Sequence, residues 1–161
     1  MAIKEGDTLP ADIKLKEMGE KGPQDVSVGE IFNGKTVVLF AVPGAFTPTC
    51  SMKHLPGFVD KAGEIRAKGV DEIVCMSVND AFVMGAWGDQ QKAHGKVRMV
   101  ADGNGELTKA LGLGLDASGF GMGQRSQRFA LIAKNGKVTS LFLENGGGLT
   151  VSSAESVLGK L

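Results

Sequence analysis

Cysteine is scarce in this chain of 161 residues: there are two, Cys50 and Cys75, too few for a disulfide framework and too widely spaced for a CxxC pair. A small fold stapled by bridges is excluded, and a reducing cytoplasmic setting is expected, in which an exposed cysteine is chemical rather than structural. An excess of charge is lacking as well. Eighteen basic residues meet eighteen acidic ones, and no run of lysine and arginine is long enough for a nucleic-acid footprint, so a small neutral substrate is expected rather than a polyanion. No apolar stretch reaches the length of a membrane span, and "MAIKEGDTLP" has none of the apolar character of a signal peptide, so neither membrane insertion nor export is expected. Internal repeats and low-complexity tracts are missing too, which excludes solenoids and arrays.

What is present suits a folded globular chain. Hydrophobic residues make up 42% and charged residues 22%, near the averages of soluble proteins, and the length allows a continuous core within one domain spanning 1–161. The β-branched run from Thr36 to Val42 is bounded by Gly34-Lys35 and Pro43-Gly44 and predicts a strand buried on both faces. A helix is expected next, with Thr47 as N-cap, Pro48 at the first helical position, and Met52, Leu55, Phe58, Val59, Ala62 and Ile65 recurring at helical spacing up to Lys68-Gly69. Pro56-Gly57 inside that pattern predicts a kink, because proline has no N–H to give and its ring crowds the preceding turn.

"EIVCMSV" reads as a second buried strand, "NDAFVMGAWGDQQKA" as a helix opening near Asp80, and "KVRMVAD" as a third strand. "RFALIA" and "KVTSLFL" flank Asn135-Gly136, a strong hairpin signal. "SSAESVLGKL" starts a last helix, with Ser152 and Glu155 in capping-box spacing, while the glycine-dense "GLGLDASGFGMG" and "NGGG" read as loops. The order βαβ followed by ββα predicts an α/β fold of thioredoxin-like kind, a central mixed β-sheet flanked by helices on both faces. In such sheets chemistry gathers beyond the carboxyl ends of the parallel strands, which is where "PGAFTPTC", Pro43 to Cys50, lies.

Cys50 falls within the first turn of the expected helix, where unpaired N–H groups and the helix dipole favour negative charge. Thiolate is the nucleophilic form, so the position suits a reactive cysteine that substrate can reach; the bland alternative is a buried thiol at a helix start. "GEIFNGKT", Gly29 to Thr36, satisfies the phosphate-loop pattern, but a strand follows it where that loop needs a helix, so nucleotide binding is not expected. Cys75 sits among apolar neighbours and reads as a small buried hydrophobe, with a resolving role as the alternative. His54, four residues after Cys50, could share its helix face as a metal ligand or Cys–His partner, but the chain offers too few further ligands for a metal.

The stretch "VVLFAVPGAFTPTCSMKHLPGF" resembles the signature of the type II peroxiredoxins, and "SVNDAFVM", "VRMVADG" and "RSQRFALI" continue the likeness over nearly the whole chain. The resemblance implies a thiol peroxidase, free of metal, haem or flavin, that reduces hydrogen peroxide and organic hydroperoxides through a sulfenic acid at Cys50. Pro43, Thr47 and Cys50 occupy the family's Pro-x-x-x-Thr-x-x-Cys core. Thr47 is then expected to aim its hydroxyl at Cys50, Gly44 and Cys50 to add backbone N–H donors, and Pro43 to shield the thiolate. "RSQRFALI" offers two arginines; the family's pattern selects Arg128, directly before the aromatic residue, and leaves Arg125 facing solvent or pairing with a loop. His54 becomes a helix-surface or interface residue. One branch of the family places its resolving cysteine in a stretch matching "GLTVSSA", where this chain has Val151, so glutathione with glutaredoxin, or thioredoxin, is implied as electron donor. A homodimer is carried over likewise. Two rival readings are a disulfide exchanger, disfavoured because Thr47 replaces the first cysteine of a CxxC pair, and a non-enzymatic redox sensor that passes oxidation from Cys50 to a protein partner.

Overall fold

A computed structural model describes residues 2–146 and 148–161. Among the described residues nine strands and five short to medium α-helices follow one another: β1 (Lys14–Gly19), β2 (Gly22–Ser27), α1 (Val28–Phe32), β3 (Thr36–Ala41), α2 (Leu55–Ala67), β4 (Glu72–Ser77), α3 (Ala81–Gln90), β5 (Arg98–Ala101), α4 (Glu106–Ala110), β6 (Gly114–Asp116), β7 (Gln124–Ser126), β8 (Phe129–Lys134), β9 (Lys137–Leu143) and α5 (Ala154–Leu158). Seven of the strands make one sheet in the order β2-β1-β5-β4-β3-β8-β9. Strands β3, β4 and β5 run parallel, as crossover helices require, while β1 and β8 join that block antiparallel on either side.

The expected burial of β3 on both faces follows from its alternation. Val38, Phe40 and Val42 pack into a cluster with Leu55, Phe58, Trp87 and Val157 from α2, α3 and α5. Val37, Leu39 and Ala41 face the other way, into a cluster with Phe32 and Leu107 from α1 and α4. Helices therefore cover both faces of a mixed sheet. A strand with apolar side chains on both sides has to sit centrally, and that seats the end of β3 in the middle of the molecule.

The hairpin of β8 and β9 turns through Asn135 and Gly136 at φ of 50° and 78°, the left-handed pair that a two-residue turn needs and that a β-branched residue would resist. Four sequence expectations are corrected. The N-terminal segment, for which the sequence predicts no element, forms the β1–β2 hairpin, whose alternation is weak because only Leu15 and Val26 are buried in it. The stretch "GLGLDASGFGMG" is not all loop, since β6 and β7 pair across it, but strands of three residues with no buried apolar side chain leave no apolar period to read. The cap of α5 is Ser153, whose hydroxyl accepts from Ser156 N–H, because the N–H and hydroxyl of Ser152 are both given to Glu144 instead.

The fourth correction concerns the helix after β3. It begins at Pro48, and Thr47 does contribute its carbonyl to the first helical bond, from Ser51 N–H at 2.9 Å. The irregularity expected at Pro56 takes the form of a π turn over Cys50–His54, in which Leu55 N–H reaches back to Cys50 O. Widening the turn just before Pro56 accommodates a ring that would crowd the preceding carbonyl and a nitrogen that cannot donate. The extra residue also rotates the register. Leu55, Phe58, Val59, Ala62 and Ile65 stay inside, whereas Met52, one turn earlier, is 74% exposed rather than part of the core. As for "GEIFNGKT", α1 precedes its glycine turn and β3 follows, the reverse of a phosphate-binding loop.

Candidate active site

Beyond β3 the chain turns sharply over Pro43–Thr47, and three neighbours hold that turn. The Thr47 hydroxyl donates to Gly44 O at 2.7 Å, Ala45 N–H donates to Asn79 Oδ1 at 3.0 Å from the loop after β4, and Arg125 on β7 reaches Pro43 O and Met122 O. Gly44 is packed so tightly that a Cβ there would come within 3.0 Å of Met122 Cε and 3.2 Å of Thr47 Cγ2 and Arg125 Nη1. Phe46 adopts a φ of 65°, a left-handed backbone that a phenylalanine takes only when its surroundings hold it there. Its ring lies 6.4 Å from Trp87, whose indole N–H donates to Ser51 Oγ at 3.0 Å.

Cys50 follows in the first helical turn, without a disulfide and with 0% of its surface exposed. The thiol is thus closed to solvent, as the alternative of a buried thiol at a helix start had it, and its sulfur joins the apolar cluster that holds Phe40 and Cys75. The clefts of 440 and 410 Å³ elsewhere on the surface do not include it. Thr47 is also placed differently from expectation. Its proton is committed to Gly44 O, so toward any incoming group its oxygen presents lone pairs, and it acts as an acceptor.

Arg128, at the entry to β8, lies across from Cys50. Its Nη2 donates to Cys50 Sγ at 3.1 Å and its Nη1 contacts His54 Nδ1 at 2.8 Å. A guanidinium can only donate, so Nδ1 is the bare nitrogen of His54 and the ring proton sits on Nε2, which donates to Ser152 O at 2.8 Å. The imidazole is lodged against Phe40 and Phe58, with ring centroids 4.9 and 5.6 Å away. Burial, and then the charge on Arg128, lowers its pKa to about 4, which keeps it neutral. His54 is thus neither a surface nor an interface residue, and it reaches Cys50 only through Arg128. Its spacing of four residues from Cys50 was the signal for this placement, and the π turn decides which way it points.

Arg128 is itself buried, and among the described residues no ion pair with a carboxylate engages it. Its Nε is the one buried side-chain polar atom without a partner among those residues. A buried cation without a carboxylate needs acceptors for its N–H groups, and the acceptor at its Nη2 is the Cys50 sulfur. The arrangement sets the Cys50 sulfur against a fixed donor fork, with the acceptor oxygen of Thr47 three residues earlier in the chain. That set fits attack by sulfur on a small polar electrophile. Arg125 does not join it but pairs with the loop, as the sequence suggested.

Cys75 lies in the middle of β4, directly beside Phe40 of β3, and is fully buried. Burial, then the nearness of Cys50, raises its thiol well above the usual range, which marks it as a neutral packing group. One residue that sequence reasoning passed over is Glu144, just past β9. It is buried and accepts from Thr150 Oγ1 and N–H, Val151 N–H, and Ser152 Oγ and N–H at 2.7 to 2.9 Å. Burial opposes its charge, and those bonds outweigh burial and hold its pKa down to about 2. No one-dimensional pattern separates such a carboxylate from a solvated one at a strand end.

Residues 4–158 match the Redoxin family. Peroxiredoxin-2D of Arabidopsis thaliana is 59% identical over 135 residues, 84% of this chain and 83% of its own. Peroxiredoxin-2C of Oryza sativa subsp. japonica is 54% identical over 153 residues, covering 95% and 94%. Among solved structures, reduced Prx3 of Vibrio vulnificus in complex with H2O2 superposes with a TM-score of 0.93 at 52% identity, over 98% of each chain.

Proposed function

The chain belongs to the redoxin family as a peroxiredoxin, a thiol-dependent peroxidase, and from that membership we propose that Cys50 is the sulfur that peroxide oxidises, with Arg128, Thr47, Gly44 and Pro43 as its machinery. The observation that carries the assignment is the 3.1 Å bond from Arg128 Nη2 to Cys50 Sγ, made by a buried guanidinium that engages no carboxylate among the described residues.

In this reading the Cys50 thiolate attacks one peroxide oxygen in line with the O–O bond. A sulfur–oxygen bond forms, the O–O bond breaks, and the electron pair leaves on the far oxygen, which takes a proton to become water or an alcohol. Two electrons have left sulfur, and Cys50 is a sulfenic acid. Charge moves from sulfur to the departing oxygen, so donors fixed beforehand matter most. Arg128 spans both positions, the Gly44 and Cys50 N–H groups add to it, and Thr47 Oγ1 accepts the peroxide O–H and so orients it. Pro43 keeps water from the sulfur. Because Cys50 lies wholly beneath the Pro43–Thr47 turn, entry of peroxide requires that turn to yield.

Peroxides are the substrates and a thiol is the reductant. We assign glutathione with glutaredoxin as the donor, thioredoxin being the alternative, in a cytosolic setting; two free cysteines and a need for reducing thiols support this. A homodimer joined near the active-site turn is the proposed assembly, supported by the exposed rings of Phe46 and Phe82 and checked by sedimentation at micromolar concentration. The decisive experiment is stopped-flow consumption of hydrogen peroxide with glutathione and glutaredoxin supplied. Sustained turnover is expected, and it is abolished in Cys50→Ser with the fold intact; turnover by Cys50→Ser would overturn the assignment.

A further inference from the structure

We propose that Glu144 is a positioning residue for the peroxide reaction: its carboxylate fixes the turn at 150–152, the Ser152 carbonyl in that turn holds His54 by Nε2–H, and His54 Nδ1 holds Arg128 against Cys50. The inference rests on the assignment of Cys50 as the oxidised sulfur. It is carried by an unbroken path of hydrogen bonds in the buried or half-buried interior: Glu144 to Ser152 at 2.7 and 2.8 Å, Ser152 O to His54 at 2.8 Å, His54 to Arg128 at 2.8 Å, and Arg128 to Sγ at 3.1 Å.

The path also closes on itself. Glu144 N–H donates to the carbonyl of Arg128 at 3.1 Å, across the open end of the β8–β9 hairpin. Arg128 is therefore gripped twice from one residue, through its backbone directly and through its guanidinium by way of Ser152 and His54. Five donors from three residues converge on two carboxylate oxygens, four of them on Oε2. Only an acceptor without protons satisfies that set. A neutral amide would turn an NH2 toward donors and release part of the turn.

What the path transmits is direction. The imidazole has two neutral tautomers, and only the form protonated at Nε2 leaves a lone pair at Nδ1 for Arg128. The Ser152 carbonyl selects that form, because a carbonyl can accept and never donate. If the turn at 150–152 drifts, Nε2–H loses its acceptor, the other tautomer becomes competitive, and a proton on Nδ1 would push the guanidinium away from Cys50. This resembles the way a carboxylate holds a histidine in one tautomer toward a nucleophile, except that here histidine orients a cation and never takes the proton.

The test is Glu144→Gln, read in three ways on the full chain. Single-turnover oxidation of Cys50 by hydrogen peroxide is expected to slow by about tenfold or more, as for loss of an oriented donor. Alkylation of Cys50 by iodoacetamide at one fixed pH is expected to change in rate relative to wild type, because Arg128 no longer holds its donor at the sulfur. The nitrogen-15 spectrum of the His54 ring is expected to lose its pure Nε2–H signature. Ser153→Ala, which removes the cap of α5 beside the same turn but leaves the carboxylate alone, should lower Tm and leave all three readouts as in wild type. A folded Glu144→Gln with wild-type oxidation rate, alkylation rate and tautomer, whatever its Tm, would overturn the proposal and reduce Glu144 to a brace. Should Glu144→Gln fail to fold, Ser152→Ala with Thr150→Val deletes the two hydroxyl bonds and keeps the main-chain ones; slowing in the same direction supports the path, and an unchanged rate and tautomer refute it. Failure of wild-type Cys50 to oxidise at all would instead remove the underlying assignment, an outcome separable from these.

Discussion

Arg128 Nη2 donates to Cys50 Sγ across 3.1 Å with both side chains closed off from water. Electrostatic interactions at such a buried pair are far less screened than at the surface, so on the proposed assignment the guanidinium stands where negative charge develops on the departing oxygen.

Arg128→Ala should therefore be costly twice over. It removes the cation and leaves His54 Nδ1 and the sulfur without their donor, and single-turnover oxidation by peroxide is expected to slow on the order of a hundredfold or more. Arg128→Lys should recover little of this, since one ammonium cannot hold the forked geometry that reaches Nδ1 and Sγ together. Iodoacetamide alkylation of Cys50 checks the ground state separately. A rate of oxidation within about threefold of wild type in Arg128→Ala would take Arg128 out of the site.

Thr47 gives a cleaner comparison, because its hydroxyl makes no side-chain cap and donates to Gly44 O. Thr47→Val keeps the volume and deletes both the donor that holds the turn and the acceptor offered to peroxide, with slowing expected on the order of a hundredfold. Thr47→Ser keeps the hydroxyl and should stay near wild type. Equal rates in Thr47→Val and Thr47→Ser would show that the oxygen has no part in the reaction.

These two residues show what was legible in the sequence. The apolar runs of β3, β4 and β5, the helix between them and the Asn135-Gly136 turn announce themselves through local periodicity, and together they place Cys50 at the end of a central strand. The spacing of Thr47, Cys50 and His54 was equally plain. What the spacing could not tell was direction: an extra residue in the π turn swings Met52 out and Cys50 and His54 in, and that depends on how Pro56 is accommodated. Glu144 escaped because its five partners come from the turn at 150–152, brought to it by tertiary folding, and neither β1–β2 nor β6–β7 carries enough buried surface to leave a pattern.

The buried imidazole makes stability sensitive to acid. His54 titrates at about 4 in the folded chain and near 6.5 when unfolded, so between those values the unfolded state binds the extra proton. Its contribution is intact above pH 6.5 and is lost as the pH falls toward 4, by up to about 3 kcal/mol. Glu144, held at about 2 against an ordinary 4.5, continues the loss as the pH falls from 4.5 toward 2. Urea midpoints measured between pH 7 and 4 should fall in wild type and fall less in His54→Gln. Parallel curves for the two proteins would contradict the assignment of that titration to His54.

The fate of the sulfenic acid decides which reductant the protein needs. Cys75 is held by ladders on both sides, β4 pairing with β3 and β5, and its neighbours in register are Phe40 and Met99. Cys50 is near it, but burial raises the Cys75 thiol well above the usual range, so it offers little thiolate to attack a sulfenic acid. Where the resemblance places a resolving cysteine in one branch of the family, in the turn at 150–152 beside His54, this chain has Val151, in a segment tied down by Glu144. On the proposed reading an external thiol attacks, forming a mixed disulfide with release of water, and a second thiol frees Cys50. Cys75→Ser is accordingly expected to keep most of its turnover with glutathione and glutaredoxin. Intact mass after one equivalent of peroxide should show a sulfenic acid at Cys50, and a glutathione adduct there once glutathione is added. Quantitative formation of a Cys50–Cys75 disulfide, with turnover lost in Cys75→Ser, would establish instead that the chain supplies its own second thiol.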